Sequence, residues 1–200
     1  MPQGTRVKPI RLSDLRTEVK AQYRDVRSHI RIGDLLLFQG KMSLSRLICW
    51  ASHGLYSHAA LVAPAWNDRV LVMQAELFGV EIVPVSHAVD RYDGRVEWWA
   101  LKEEQRQRLM KPDFLTALLD PIGKPFAIGG IIWFGLKLLL GIRQYVPNRK
   151  ASSYFCSQYV AEVLRKNGLD VGTLSNEETS PTDIAQSGLF EYRKTLHVSL

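Results

Sequence analysis

YSHAALVAPAWNDRVLVMQAELFGVEIVPV, residues 56–85, reads as a run of three strands. SHAALVA (57–63) is apolar after a polar start. A loop is expected at Pro64–Asp68, where proline, asparagine and aspartate gather. RVLVMQAEL (69–77) alternates, with Val70, Val72, Gln74 and Glu76 on one face and Leu71, Met73, Ala75 and Leu77 on the other. Gly79 turns the chain into VEIVPV (80–85). Upstream, Gly33-Asp34 turns into an apolar strand at Leu35 to Phe38, and downstream RVEWWAL (95–101) reads as another. Consecutive strands with short turns predict an antiparallel meander.

Helical spacing flanks this block. Residues 12–29 read as a helix, with Ser13 as N-cap and Leu15, Val19, Tyr23 and Val26 on one face. SLSRLICWA (43–51) reads as a short amphipathic helix that buries Cys49 as a small hydrophobe. Residues 103–119 are helical with an interruption at Pro112, and 123–130 form a Gly/Pro loop. CSQYVAEVLRKNG (156–168) carries the strongest helix signal, with Val160, Val163 and Leu164 in a stripe and Gly168 just past the end. Ser180-Pro181-Thr182-Asp183 reads as an N-cap, a proline at the first helical position and an acidic third position, opening a helix over 181–187.

A chain of 200 residues with 46% hydrophobic and 23% charged residues suits one globular domain, with 32–200 as its body and 1–31 as a basic, helical N-terminal extension. The net charge of +6 favours acidic partners such as anionic lipid or cell-wall polymer. No nucleic-acid motif accompanies it, so no nucleic-acid partner is expected. Two cysteines, Cys49 and Cys156, make no disulfide framework, and five histidines without ligand spacing predict neither metal nor cofactor. The polar N-terminus has no secretory pattern, which predicts a cytoplasmic protein or a component of a phage or prophage virion. The apolar run FAIGGIIWFGLKLLLGI (126–142) contains Lys137 and four glycines, and fits a buried or interfacial helix better than a membrane span.

Two residues stand out chemically. Cys156 opens a helix, where unsatisfied amides and the dipole favour a thiolate. His58 opens a strand beside Tyr56 and Ser57 and can present its ring to a cleft. A cysteine–histidine pair needs a third group to hold the imidazole. Gln74 and Glu76 share a face of the next strand, so either could reach His58.

Together, GDLLLF (33–38), YSHAALV (56–62), VLVMQA followed by GV (70–80), GKPF (123–126), FCSQYVAEVLRKNG (155–168) and SPTDIAQSGLF (180–190) resemble the circularly permuted branch of the NlpC-type papain-like hydrolases, the YiiX/YebB-like family. The resemblance covers residues 32–190. It implies an α+β papain-like fold, with a small antiparallel sheet packed on the nucleophile helix. By motif match Cys156 is the nucleophile and His58 the base. Gln74 stands where the family usually has Glu, and Phe126 where it has Tyr. The implied activity is that of a cysteine peptidase or amidase acting on a peptide or a peptidoglycan stem peptide. Two other functions fit the sequence. A lipid acyl hydrolase or acyltransferase would touch the membrane surface through 126–142. A non-catalytic module of an assembly such as a phage tail would dock through the N-terminal extension.

Overall fold

The computed structural model describes residues 20–40, 54–76, 79–109, 112–123, 156–172, 175–176 and 179–198. Within these residues the chain forms seven strands: β1 (Lys20–Gln22), β2 (Leu35–Gly40), β3 (His58–Trp66), β4 (Arg69–Glu76), β5 (Gly79–Pro84), β6 (Gly94–Leu101) and β7 (Phe190–His197). Six α-helices accompany them: α1 (Tyr23–Val26), α2 (Val85–Arg91), α3 (Glu103–Leu109), α4 (Pro112–Leu119), α5 (Cys156–Lys166) and α6 (Pro181–Gln186). The expected helix at 43–51 with Cys49, the apolar run 126–142 and Phe126 lie outside the described residues. No helix among the described residues is long and apolar enough to cross a membrane.

The strands make one sheet in the order β1-β7-β6-β2-β3-β4-β5. β3, β4 and β5 pair antiparallel in succession, as the expected meander requires, and β2 pairs antiparallel to β3. RVEWWAL, expected as the meander's fourth strand, is β6 and does not pair with β5. The sheet is larger than expected and mixed, because β6 returns to the other side of β2, β7 follows it, and β1 joins parallel to β7. Lys20–Gln22 is therefore a strand rather than part of a helix over 12–29. The backbone groups on the open side of β7 take these residues into the ladder, and tertiary pairing overrides a local helical pattern. Among the described residues of that span, helix is found at Tyr23–Val26, with a 3₁₀ turn at Arg27–His29. Ile30 is buried in the second core cluster, downstream of the β1 strand that pairs with β7.

Alternation along the strands divides the interior in two. Leu35, Leu37, Ala59, Leu61, Met73 and Ala75 face one core, which α3, α4, α5 and α6 cover with Leu109, Phe114, Leu118, Tyr159, Leu164 and Ile184. Leu36, Phe38, Ala60, Val62, Val70 and Val72 face the second, covered by Val85, Ala88 and Val89 of α2. The expected loop at Pro64–Asp68 shrinks to a two-residue turn. Asn67 and Asp68 take φ of 45° and 60°, as a tight hairpin of that twist requires. Pro64 lies inside β3, where the β3–β4 register shifts between Ala63 and Trp66, so no ladder bond needs its missing N–H.

Candidate active site

The helix that carries Cys156 is well specified at its far end. The N–H groups of Gly168 and Leu169 donate to the carbonyls of Arg165 and Leu164, at 2.9 and 3.0 Å, and Gly168 has φ of +75°. That is a Schellman stop on a left-handed residue. Its near end opens on Cys156, which is buried. Tyr159 anchors the second turn by donating from its hydroxyl to the Leu118 carbonyl at 2.9 Å.

The segment leading to His58 is held from three sides. Tyr56 donates from its hydroxyl to Glu97 Oε2 on β6 at 2.7 Å. Burial, with the Glu97 charge, pushes its pKa up, so it stays a donor. Ser57 Oγ donates to the Phe38 carbonyl at 3.2 Å. Thr182 Oγ1 on α6 accepts from the N–H groups of Leu55 and Tyr56, at 3.0 and 3.4 Å. α6 is fixed by a capping box in which Ser180 and Asp183 bond each other's backbone N–H. The Pro181-Thr182 signature thus positions the histidine strand.

α5 covers the odd-numbered face of β3, while His58 by alternation belongs to the even face. There its ring meets Phe38 edge-on, with centroids 4.9 Å apart. The two meet where β3 and β4 part. Pairing of these strands begins at Ala60↔Gln74, which leaves the Ala59 N–H outside the ladder. That N–H, the N–H of Ser157 and the His58 ring are the groups that favour the Cys156 anion, and the Cys156 charge in turn acts on His58.

The electrostatics follow. Burial alone would raise the Cys156 pKa. The His58 charge and hydrogen bond, with the two backbone donors, outweigh it and lower the thiol below its ordinary range. Burial alone would lower the His58 pKa. The Cys156 charge, the hydrogen bonds to Cys156 and Gln74 and the Glu81 charge outweigh that and raise it. Both shifts favour the same species, a thiolate beside an imidazolium.

Of the four residues expected at the site, Cys156, His58 and Gln74 come together. Gln74 Oε1 lies 3.2 Å from His58 Nε2. Glu76 is exposed at the end of β4. Burial of part of its side chain and the Glu81 charge raise its pKa, and His87 lowers it. Its neighbours are therefore Glu81 and His87 rather than His58. The residue missed in the sequence is Glu81, whose Oε1 accepts from Gln74 Nε2 at 3.1 Å. A hairpin that pairs Glu76 with Gly79 must set position 74 opposite 81, so counting outward from the turn would have found it.

Among the described residues no three His, Cys, Asp or Glu side chains gather closely enough to hold a metal ion. No protein family matches the sequence, and no curated protein does. Among solved structures the chain resembles one described as metalloprotein yiiX from Escherichia coli O157:H7 (DUF1105). The identity is 18%, and the match covers 82% of this chain and 97% of that one with a TM-score of 0.59. At that identity the likeness is one of fold: the chain has a YiiX-like α+β architecture.

Proposed function

We propose that the protein is a cysteine hydrolase that cleaves amide bonds, in a peptide or a peptidoglycan stem peptide, through an acyl-enzyme on Cys156. What supports this reading is the pairing of Cys156 with a His58 ring held by Gln74 at 3.2 Å, with the thiol pKa lowered and the imidazole pKa raised by each other's charge. A strand-first, helix-last order, with histidine ahead of cysteine, fits a circularly permuted papain-like arrangement of the same groups.

Gln74 occupies His58 Nε2, so Nδ1 is the nitrogen left to face the sulfur. His58 takes the proton of the thiol, and the thiolate attacks the substrate carbonyl to give a tetrahedral oxyanion. The new bond is S–C; the carbonyl π pair moves to oxygen. On collapse the C–N bond breaks, and the imidazolium delivers its proton to the departing amine. Water, deprotonated by the neutral His58, then attacks the thioester and releases the acid. Burial of Cys156 keeps bulk water from the thiolate and strengthens every contact the developing charge makes.

YiiX is described as a metalloprotein. The donors here are one thiol, one imidazole and an amide oxygen, a set that suits acyl transfer better than a closed metal site.

The test is hydrolysis of a peptide-amide library that includes bacterial stem peptides. Wild-type protein should turn over at least one member and accumulate an acyl adduct on Cys156, seen by intact mass. Cys156→Ala should lower turnover by about a thousandfold or more. Equal turnover by the variant, or a library left intact by wild type, contradicts the reading.

A further inference from the structure

We infer that Glu81 is a positioning residue for the Cys156–His58 pair, acting through Gln74: its carboxylate fixes which end of the Gln74 amide faces His58, and so which nitrogen of the imidazole carries the proton. The inference rests on the hydrolase reading for its consequence in turnover, but not for its geometry.

An amide is ambiguous as a third residue. It can present its oxygen or its NH₂ to a histidine, and the two choices have opposite consequences. With Oε1 toward His58, Nε2–H donates and Nδ1 keeps a lone pair for the thiol proton. With the NH₂ toward His58, Nε2 must accept, and Nδ1 then holds a proton where the base is needed. An imidazolium, protonated on both nitrogens, would meet that NH₂ donor to donor.

Nothing in Gln74 itself selects the first choice; Glu81 does. A carboxylate can only accept, so it draws Gln74 Nε2 to 3.1 Å and turns Oε1 toward His58, at 3.2 Å. A flipped amide would set its oxygen against a carboxylate oxygen and its NH₂ against an N–H. The register makes this contact obligatory, since Gln74 lies directly between Ala60 on β3 and Glu81 on β5. Gln74 is buried, whereas Glu81 is exposed at the outer strand. The charge of Glu81 adds to the tautomer effect by favouring the imidazolium. Among the described residues, the charged or titratable groups that act on His58 are Cys156 from α5 and Glu81 from β5; Glu76 of β4 lies one step further out beside Glu81, with His87 of α2 beside Glu76. The arrangement lets a neutral third residue work as an anionic one would, with the charge held one residue away.

The test is a double-mutant cycle read by iodoacetamide alkylation of Cys156, followed by peptide mass spectrometry over a range of pH. This needs no substrate and separates Cys156 from Cys49. Glu81→Gln in the native background should slow alkylation near pH 6 about tenfold, because the new amide no longer dictates the Gln74 orientation. Its pH midpoint should move toward that of an ordinary thiol. Glu81→Ala should do the same. In a Gln74→Glu background the sign should reverse. A carboxylate already faces His58, Glu81 becomes a like-charge neighbour, and Glu81→Gln should leave the rate unchanged or raise it. A merely structural role would give the same loss in both backgrounds, and that result overturns the inference, as does a change within twofold in the native background. If this pattern holds while no library peptide is cleaved, the positioning role stands and the hydrolase reading falls. If peptides are cleaved and the cycle is additive, the reverse is true.

Discussion

A thiol and an imidazole that ionise together define a pH window, and its sign follows from the two shifts. Protonation of the thiolate sets the acid limb of kcat/KM, which should lie below the ordinary thiol value of about 8.5 because His58 and the Ala59 and Ser157 N–H groups stabilise the anion. Loss of the imidazolium proton, needed by the leaving amine, sets the alkaline limb. It should lie above the ordinary imidazole value of about 6.5 because Cys156, Gln74 and Glu81 favour the cation. A pH–rate profile with a plateau between two such limbs is expected; an acid limb at the ordinary thiol value would count against the pair. At this scale the sequence was legible where chemistry coincides with an element start. Cys156 opens a helix, His58 opens a strand, and alternation put Gln74 on the correct face. The choice between Gln74 and Glu76 was not legible, because parity gives both the same face and only register decides which one lies beside Ala60. Glu81 was hidden for the same reason.

Elements deliver these residues to one another, and two small features of the chain control the delivery. Thr182 Oγ1 bonds the backbone just ahead of His58, at Leu55 and Tyr56. Thr182→Val keeps the shape and removes the acceptor, so it should cost about 1–2 kcal/mol in denaturant unfolding. Turnover should fall with it if the His58 strand start is displaced; a variant as stable as wild type would show that these bonds are dispensable. Gly33 has φ of +82°, and a Cβ there would lie 2.2 Å from Leu109 Cδ2 and 3.4 Å from Leu101 Cδ2. Gly33→Ala combines a left-handed strain with a clash against the start of the core, and should cost about 2–3 kcal/mol, read as a lowered unfolding midpoint. Helix stops and starts with side-chain chemistry, such as the Gly168 terminus and the Ser180 capping box, were readable from composition alone. β1, β7 and α2 were not. β1 forms because β7 offers it a partner, and α2 is a seven-residue helix whose Val85, Ala88 and Val89 are apolar because a second core needs a lid.

The whole molecule is a sheet with two covered faces, and its registration depends on a buried ion pair at one end. Asp34 Oδ1 accepts from Arg106 Nη2 at 2.6 Å and from the Leu101 N–H at 3.0 Å, and Oδ2 accepts from Trp98 Nε1 at 2.8 Å and the Arg31 N–H at 2.9 Å. One carboxylate thereby ties the turn before β2 to β6 and α3. Arg106→Met leaves that charge buried without its cation and should cost about 3 kcal/mol by calorimetry or denaturant titration, whereas a loss under 1 kcal/mol would mean the backbone and indole donors suffice. Motif order implied an α+β domain with a small antiparallel sheet, and strand spacing predicted a meander. Neither predicted the size or the mixed character of the sheet, which come from pairing of β6 with β2, of β7 with β6 and of β1 with β7 by chain segments far apart in sequence. The same long-range closure sets α5 against the fork of β3 and β4, and on that meeting the functional account depends. Its most direct test is the ultraviolet absorbance of the thiolate, taken as the difference between wild type and Cys156→Ala across pH and repeated in a His58→Ala background. Cys156 should already be a thiolate well below the ordinary thiol range, and His58→Ala should move its titration upward. A titration at the ordinary thiol value that His58→Ala leaves in place would contradict the pairing of Cys156 with His58.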